Sequence, residues 1–107
     1  IAPGIAVAHD ALVARTARLH KVDLLPPARA IGTNTITAMQ SGIFLGYVGL
    51  VEGLTQRIKR ELNENDTRVI ATGGLAPIVQ ASTTVIDLIA PELTLDGLRA
   101  IYALNAE

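Results

Sequence analysis

Apolar residues recur at helical spacing over several stretches of the chain, each bounded by residues that stop a helix. Ile5, Ala8, Leu12 and Leu19 fall on one side of a surface helix predicted from about Gly4 to Leu19, with Asp10, Arg15 and Arg18 elsewhere on it. HKVDLLPPARAIG then brings two prolines that bar a helix, so residues 20–32 are predicted as a connector with a short strand over 22–25. From Thr35 to about Leu62 only glycine interrupts the helical pattern, which predicts one long helix ended by Asn63, Asn65 and Asp66. RVIAT reads as a short strand, Gly73 and Gly74 as a turn and LAPIVQAS as a short helix. IDLIAPEL is apolar but of undecided type. TLDGLRAIYALN predicts a last helix, with Thr94 as N-cap and Leu95, Leu98, Ile101 and Tyr102 on its apolar side. No internal repeat or low-complexity tract is visible.

The long helix carries glycines at 42, 46, 49 and 53. At 100° per residue they lie within about 60° of one another and form one smooth stripe. A glycine inside a helix costs about 1 kcal/mol relative to alanine, so something must offset roughly 4 kcal/mol here. Close approach of another backbone would do so, because the missing side chains let it gain dispersion contacts along the stripe. Ile43, Tyr47, Leu50, Val51, Leu54 and Ile58 make a second apolar side that Phe44 and Val48 extend, so around residues 43–51 hardly any face is polar and burial on all sides is expected. The apolar run is far shorter than the roughly 20 residues a membrane span needs. At about 40 Å the helix outreaches a compact domain of this size, whose radius of gyration is about 13 Å. Cover must therefore come from beyond this chain: further parts of the same polypeptide, a symmetry mate in a homodimer, or both.

At 107 residues the chain has room for one domain. Half of its residues are hydrophobic, 18% are charged and the formal net charge is -1, so it has no basic field to draw in nucleic acid or an anionic membrane. The lack of cysteine removes disulfides, thiolate metal sites and cysteine nucleophiles, and suits a cytosolic location. The opening IAPGIAVAHDALV lacks the pattern of a secretory signal and reads as part of a longer polypeptide.

Two turns could hold a ligand. IGTNT, residues 31–35, precedes the long helix, where free N–H groups and the helix dipole favour a polar or anionic group, and Thr35 projects on the glycine side. Thr33 or Asn34 could equally be a plain N-cap. VIATGG ends a strand on two glycines, which lets a nucleotide approach the backbone, although an ordinary strand-to-helix turn has the same look. His9 and His20 are isolated and expected to face solvent, so no metal site is proposed. Asp10, Asp23, Asp87 and Asp96 are separated and expected to be caps or solvated charges, and QRIKRELNEN a solvated face.

Taken in order and spacing, APGI, ALVARTARL, IGTNTITAMQSGIFLGYVGLVEGLTQRI, VIATGGLA, ID and PELTLDGLRAIYALN resemble the carboxy-terminal half of type III pantothenate kinase. The resemblance spans almost the whole chain and is most specific from Gly32 to Gly53. It implies an α/β, ribonuclease-H-like fold of the acetate and sugar kinase, heat-shock cognate and actin superfamily, with residues 1–107 as the second of two domains that close on a nucleotide. It also implies ATP-dependent phosphorylation of pantothenate, the first step of coenzyme A synthesis, by a homodimer using magnesium and a monovalent cation, potassium or ammonium. By this likeness Thr35 would help hold pantothenate, while Thr72, Gly73 and Gly74 would form the adenosine-side turn. Gly42, Gly46, Gly49 and Gly53 would then be the dimer interface. The catalytic aspartate, the phosphate loop and the main metal and cation ligands are expected upstream of Ile1, so the fragment alone should be inert. His20 stands where the family usually has proline, which reads as a surface change. A non-enzymatic relative of the Bvg accessory factor type, or the dimerising half of another sugar-kinase-like enzyme, are the alternatives.

Overall fold

The computed structural model of the chain describes residues 1–106. Its elements are α1 (Ile5–Ala14), α2 (Thr35–Gln40), a π-helical turn (Ser41–Leu45), α3 (Gly46–Leu62), β1 (Ile70–Ala71), α4 (Ala76–Gln80), β2 (Leu88–Ile89) and α5 (Leu93–Asn105). Two units divide the chain, Ile1–Gly53 and the part from Leu54 onward.

In the first unit α1 packs against the π turn. Ile5, Met39, Ile43, Phe44 and Val48 are buried, and Phe44, at 1% exposure, is the most enclosed side chain. The long helix starts and stops where the apolar pattern predicts. Its middle is not regular, because the Gly46 N–H reaches back five residues to the Ser41 carbonyl and widens one turn into a π-helix. Asn63 closes α3: its φ of 56° is left-handed, and the N–H groups of Asn63 and Glu64 return to the carbonyls of Arg60 and Lys59, both at 3.1 Å. This double return satisfies carbonyls that the helix end would otherwise leave open.

Several expectations need correction. The first helix ends at Ala14 rather than Leu19, with Arg15 as its C-cap and a turn following. No strand forms over 22–25: the Leu25 N–H turns back to the Asp23 carbonyl at 2.9 Å, and Pro26 and Pro27 offer no ladder donors. The connector is instead tied down by side chains of the helices. The Val22 N–H donates to Nε2 of His9 at 3.2 Å, Nε2 of Gln40 donates to the Asp23 carbonyl at 3.0 Å, and the Ser41 hydroxyl donates to the Ala30 carbonyl. His9 is therefore not solvent-facing, since it is 6% exposed and used as an acceptor. His20 is exposed, as expected.

The second unit holds a parallel pair, Ile70 opposite Leu88 and Ala71 opposite Ile89, joined through α4. IDLIAPEL thus supplies β2. Asp87 extends the pair, its N–H donating to the Val69 carbonyl at 2.9 Å while its Oδ2 accepts from the Val69 N–H at 2.7 Å, so this carboxylate is neither a helix cap nor simply solvated. Ala76, Val79 and Ile86 are buried. α5 begins one residue before Thr94, and Glu92 occupies the N-cap without a side-chain bond, which removes Thr94 from the capping role. Leu95, Leu98, Ile101 and Tyr102, the expected apolar side of α5, are exposed.

Candidate functional site

The IGTNT turn is built by side-chain bonds that close on themselves. Asn34 is the N-cap of α2 and its Oδ1 accepts from the Thr37 N–H at 2.9 Å. Thr37 Oγ1 accepts in return from the N–H groups of Asn34 at 3.2 Å and Thr33 at 3.1 Å. This reciprocal cap consumes two of the amides that a bare helix start would offer to an anion, those of Asn34 and Thr37, and one loop amide, that of Thr33. Gly32 lets the turn press on the helix, since a Cβ there would lie 2.5 Å from the nitrogen and Cα of Ala38. The bland reading of Asn34 as N-cap therefore holds, and any ligand role at this turn passes to the next residue.

Thr35 is exposed, and its hydroxyl makes no hydrogen bond among the described residues. It lies where two concavities of the first unit meet. One is an apolar groove of about 720 Å³ between α1 and the long helix, with Ile5, Leu12, Met39, Gly42, Gly46 and Leu50 in its lining. The other, about 480 Å³, lies against the connector and is lined by Arg18, His20, Lys21, Asp23 and Gln40, with Thr35 and Met39 common to both.

The glycine stripe is open in this chain. Gly42, Gly46 and Gly49 are exposed and Gly53 half-buried, and a Cβ at any of the four would meet nothing within 4 Å. The helix is consequently not covered on all sides here; Leu54, Ile58 and Leu62 are exposed as well. Gly42 and Gly46 share the groove with Thr35, whereas Leu50 rather than Gly49 continues its lining, because the groove runs along the flank of the stripe that Ile43 and Tyr47 occupy.

In the second unit Thr72, Gly73 and Gly74 are exposed and follow β1 directly. Gly73 has φ of 102°, a conformation that a side chain would strain, and its carbonyl accepts from the Ala76 N–H at 3.2 Å. Among the described residues no group of three or more His, Asp or Glu is placed to hold a metal ion. No described helix is long and apolar enough to cross a membrane.

The model of the family described as type III pantothenate kinase matches residues 1–57, which include the whole first unit and its two concavities. The chain belongs to the type III pantothenate kinase family. Among curated relatives of that name, the protein of Roseiflexus castenholzii is 52% identical over 107 residues, covering 100% of this chain and 42% of the relative. That of Dehalococcoides mccartyi is 50% identical over 105 residues, covering 98% of this chain and 40% of the relative, and that of Geobacillus thermodenitrificans is 47% identical over 107 residues, covering 100% and 41%. The chain thus spans about two fifths of the length of these relatives and matches their carboxy-terminal part. The type III pantothenate kinase segment from Gly32 to Gly53 is the one whose resemblance was most specific, and it contains Thr35, the cap and the glycines.

Proposed function

We propose that the intact protein phosphorylates pantothenate with ATP, the first step of coenzyme A synthesis, and that this chain contributes part of the pantothenate wall and the adenosine-side turn. The reading is supported by the family membership and by one structural observation: an exposed Thr35 hydroxyl, free of protein partners, where an apolar groove meets a polar pocket. A molecule with a dimethyl-substituted end, hydroxyls, an amide and a carboxylate needs a site with both characters. In the reaction the primary hydroxyl of pantothenate attacks the γ-phosphorus, the bond to the ADP oxygen breaks, and the hydroxyl proton passes to a base outside this chain. Holding the two reactants in line accounts for most of what a protein contributes to such a transfer.

In this reading Thr72, Gly73 and Gly74 pack beside the adenosine, and the glycine stripe is the seam of a homodimer. The ligands for magnesium and for potassium or ammonium lie outside this chain, and the protein works in the cytoplasm. A ribonuclease-H-like domain is consistent with the parallel strand pair and its crossover helix. The test is ATP-dependent phosphorylation of pantothenate by the intact protein. Thr35→Ala should raise the KM for pantothenate about three- to tenfold, the worth of one hydrogen bond, and leave that for ATP nearly unchanged. An unaltered pantothenate dependence would count against the role of Thr35, and no turnover by a folded protein would count against the activity.

A further inference from the structure

The strand pair that carries the Thr72–Gly74 turn has only two residues on each side, against about five or six in a usual strand. A one-residue slip of so short a pair would move the turn by about 3.3 Å and reverse the faces of its residues, so its register depends on what grips its ends. At the turn end the Ala90 N–H donates to the Ala71 carbonyl at 2.8 Å, one residue before Thr72. At the opposite end a regular parallel ladder would give the Val69 N–H a backbone carbonyl, and here the Asp87 carboxylate takes that place, with Oδ2 at 2.7 Å. The Val69 carbonyl in turn accepts from the N–H groups of Asp87 at 2.9 Å and Leu88 at 3.3 Å, so Asp87 holds both backbone polar groups of Val69. A bond to an ionised carboxylate is roughly twice as strong as one between neutral groups. Beyond Ala71 the chain is held next at Gly73, whose carbonyl accepts from Ala76, while the Thr72 hydroxyl and the N–H groups of Thr72, Gly73 and Gly74 make no hydrogen bond among the described residues. The turn thus takes its place from β1, and β1 takes its register from Asp87.

We propose that Asp87 is a positioning residue for the nucleotide: by holding Val69 it fixes where β1 delivers Thr72, Gly73 and Gly74 to the adenosine of ATP. The inference rests on the reading of that turn as the adenosine side of a kinase and adds to it the residue, beyond the crossover helix, on which the turn's placement depends.

The test measures ADP affinity by calorimetry, and KM for ATP and for pantothenate, with the intact protein and its Asp87→Ala and Asp87→Asn variants. Asp87 is exposed, so neither change removes core packing. Asp87→Ala is expected to weaken ADP binding and raise the KM for ATP about three- to tenfold, part of the worth of a charge-assisted bond because it acts through β1, with the KM for pantothenate nearly unchanged. Asp87→Asn, whose amide oxygen still accepts from Val69, should recover most of the loss. A lowered melting temperature with unchanged ADP affinity would make the clasp purely structural and overturn the proposal, as would equal losses for ATP and pantothenate. A second readout needs no variant. Clasp and nucleotide are linked, so saturating ADP should slow solvent exchange of the Val69 amide in the unaltered protein by a similar factor, and more than it slows that of Val22 in the first unit. Equal slowing at both amides, or none at Val69, would overturn the proposal even if Asp87→Ala failed to fold. Gly73→Ala strains the turn and leaves the clasp alone. If it weakens ADP binding while Asp87→Ala does not, the role of Asp87 fails and the assignment of the turn stands; if neither variant alters ADP binding, both fail.

Discussion

Gly32 lies so close to the start of α2 that a Cβ on it would sit 2.5 Å from both the nitrogen and the Cα of Ala38. Both atoms belong to the backbone, so no rotamer change relieves the overlap. Gly32→Ala should therefore force the IGTNT turn away from the helix and cost about 1–3 kcal/mol of stability. The urea midpoint of the intact protein checks this, and an unchanged midpoint would mean that the turn moves aside freely.

Thr37 matters through its hydroxyl, which accepts from two loop amides. Thr37→Val keeps the shape and removes the acceptor, and a loss of about 1–2 kcal/mol is expected. Thr37→Ser should recover most of it. Equal stability of all three proteins would take the capping box out of the account of this site.

Replacing His9 by leucine should leave the Val22 N–H without its partner in a part-buried place. The expected cost is about 1–3 kcal/mol. The more direct observable is local: exchange of the Val22 amide with solvent should accelerate in His9→Leu and remain slower in His9→Gln, whose side-chain carbonyl can still accept. Identical exchange in both variants would argue that the bond does not hold the connector.

Gly46 offers a clean probe of what covers the long helix. A Cβ there meets nothing in this chain, and leucine favours a helix over glycine by roughly 1 kcal/mol, so Gly46→Leu should not harm the isolated fold. In the proposed homodimer, however, a leucine would hold apart the two backbones at the stripe. Sedimentation of the intact protein should show a dimer converted to monomer with its helix content kept. A dimer of unaltered affinity would place the seam elsewhere.

Much of this architecture is legible in the chain because apolar spacing and stop signals are local. Thr35 and Leu62 bound the long helix as its pattern predicts, and Asn34 and Asn63 serve at its two ends as their types suggest. What escaped depends on contacts distant in sequence. His9 sits three residues before Leu12 and four after Ile5, a place on the apolar stripe of α1 that hints at burial, but its partner, Val22, is 13 residues away. Val22, Leu24 and Leu25 favour the short strand predicted within the connector, whereas carbonyls and an amide of that segment are claimed by His9, Gln40 and Ser41. The π turn leaves no mark in residue type. Of the site, Thr35 and the glycine turn stood out from their motifs. The cluster of Arg18, His20 and Lys21 did not, because it becomes a pocket only when the connector folds back on α2.

The π turn also sets an azimuth. A turn closed by a five-residue return holds one residue more than an ordinary helical turn, so everything beyond Leu45 is out of phase with Thr35 relative to a uniform helix by close to one residue's rotation, about 100°. Removing a single residue between Ser41 and Leu45 would restore the regular winding. Gly49 and Gly53 would keep close to their present bearing, because the extra residue is absorbed within the one widened turn. Regular winding at unchanged chain length would instead turn the glycines beyond Leu45 by that angle relative to Thr35, although every side chain would still be there. The widened turn thus sets how Thr35 and the glycines beyond it face one another.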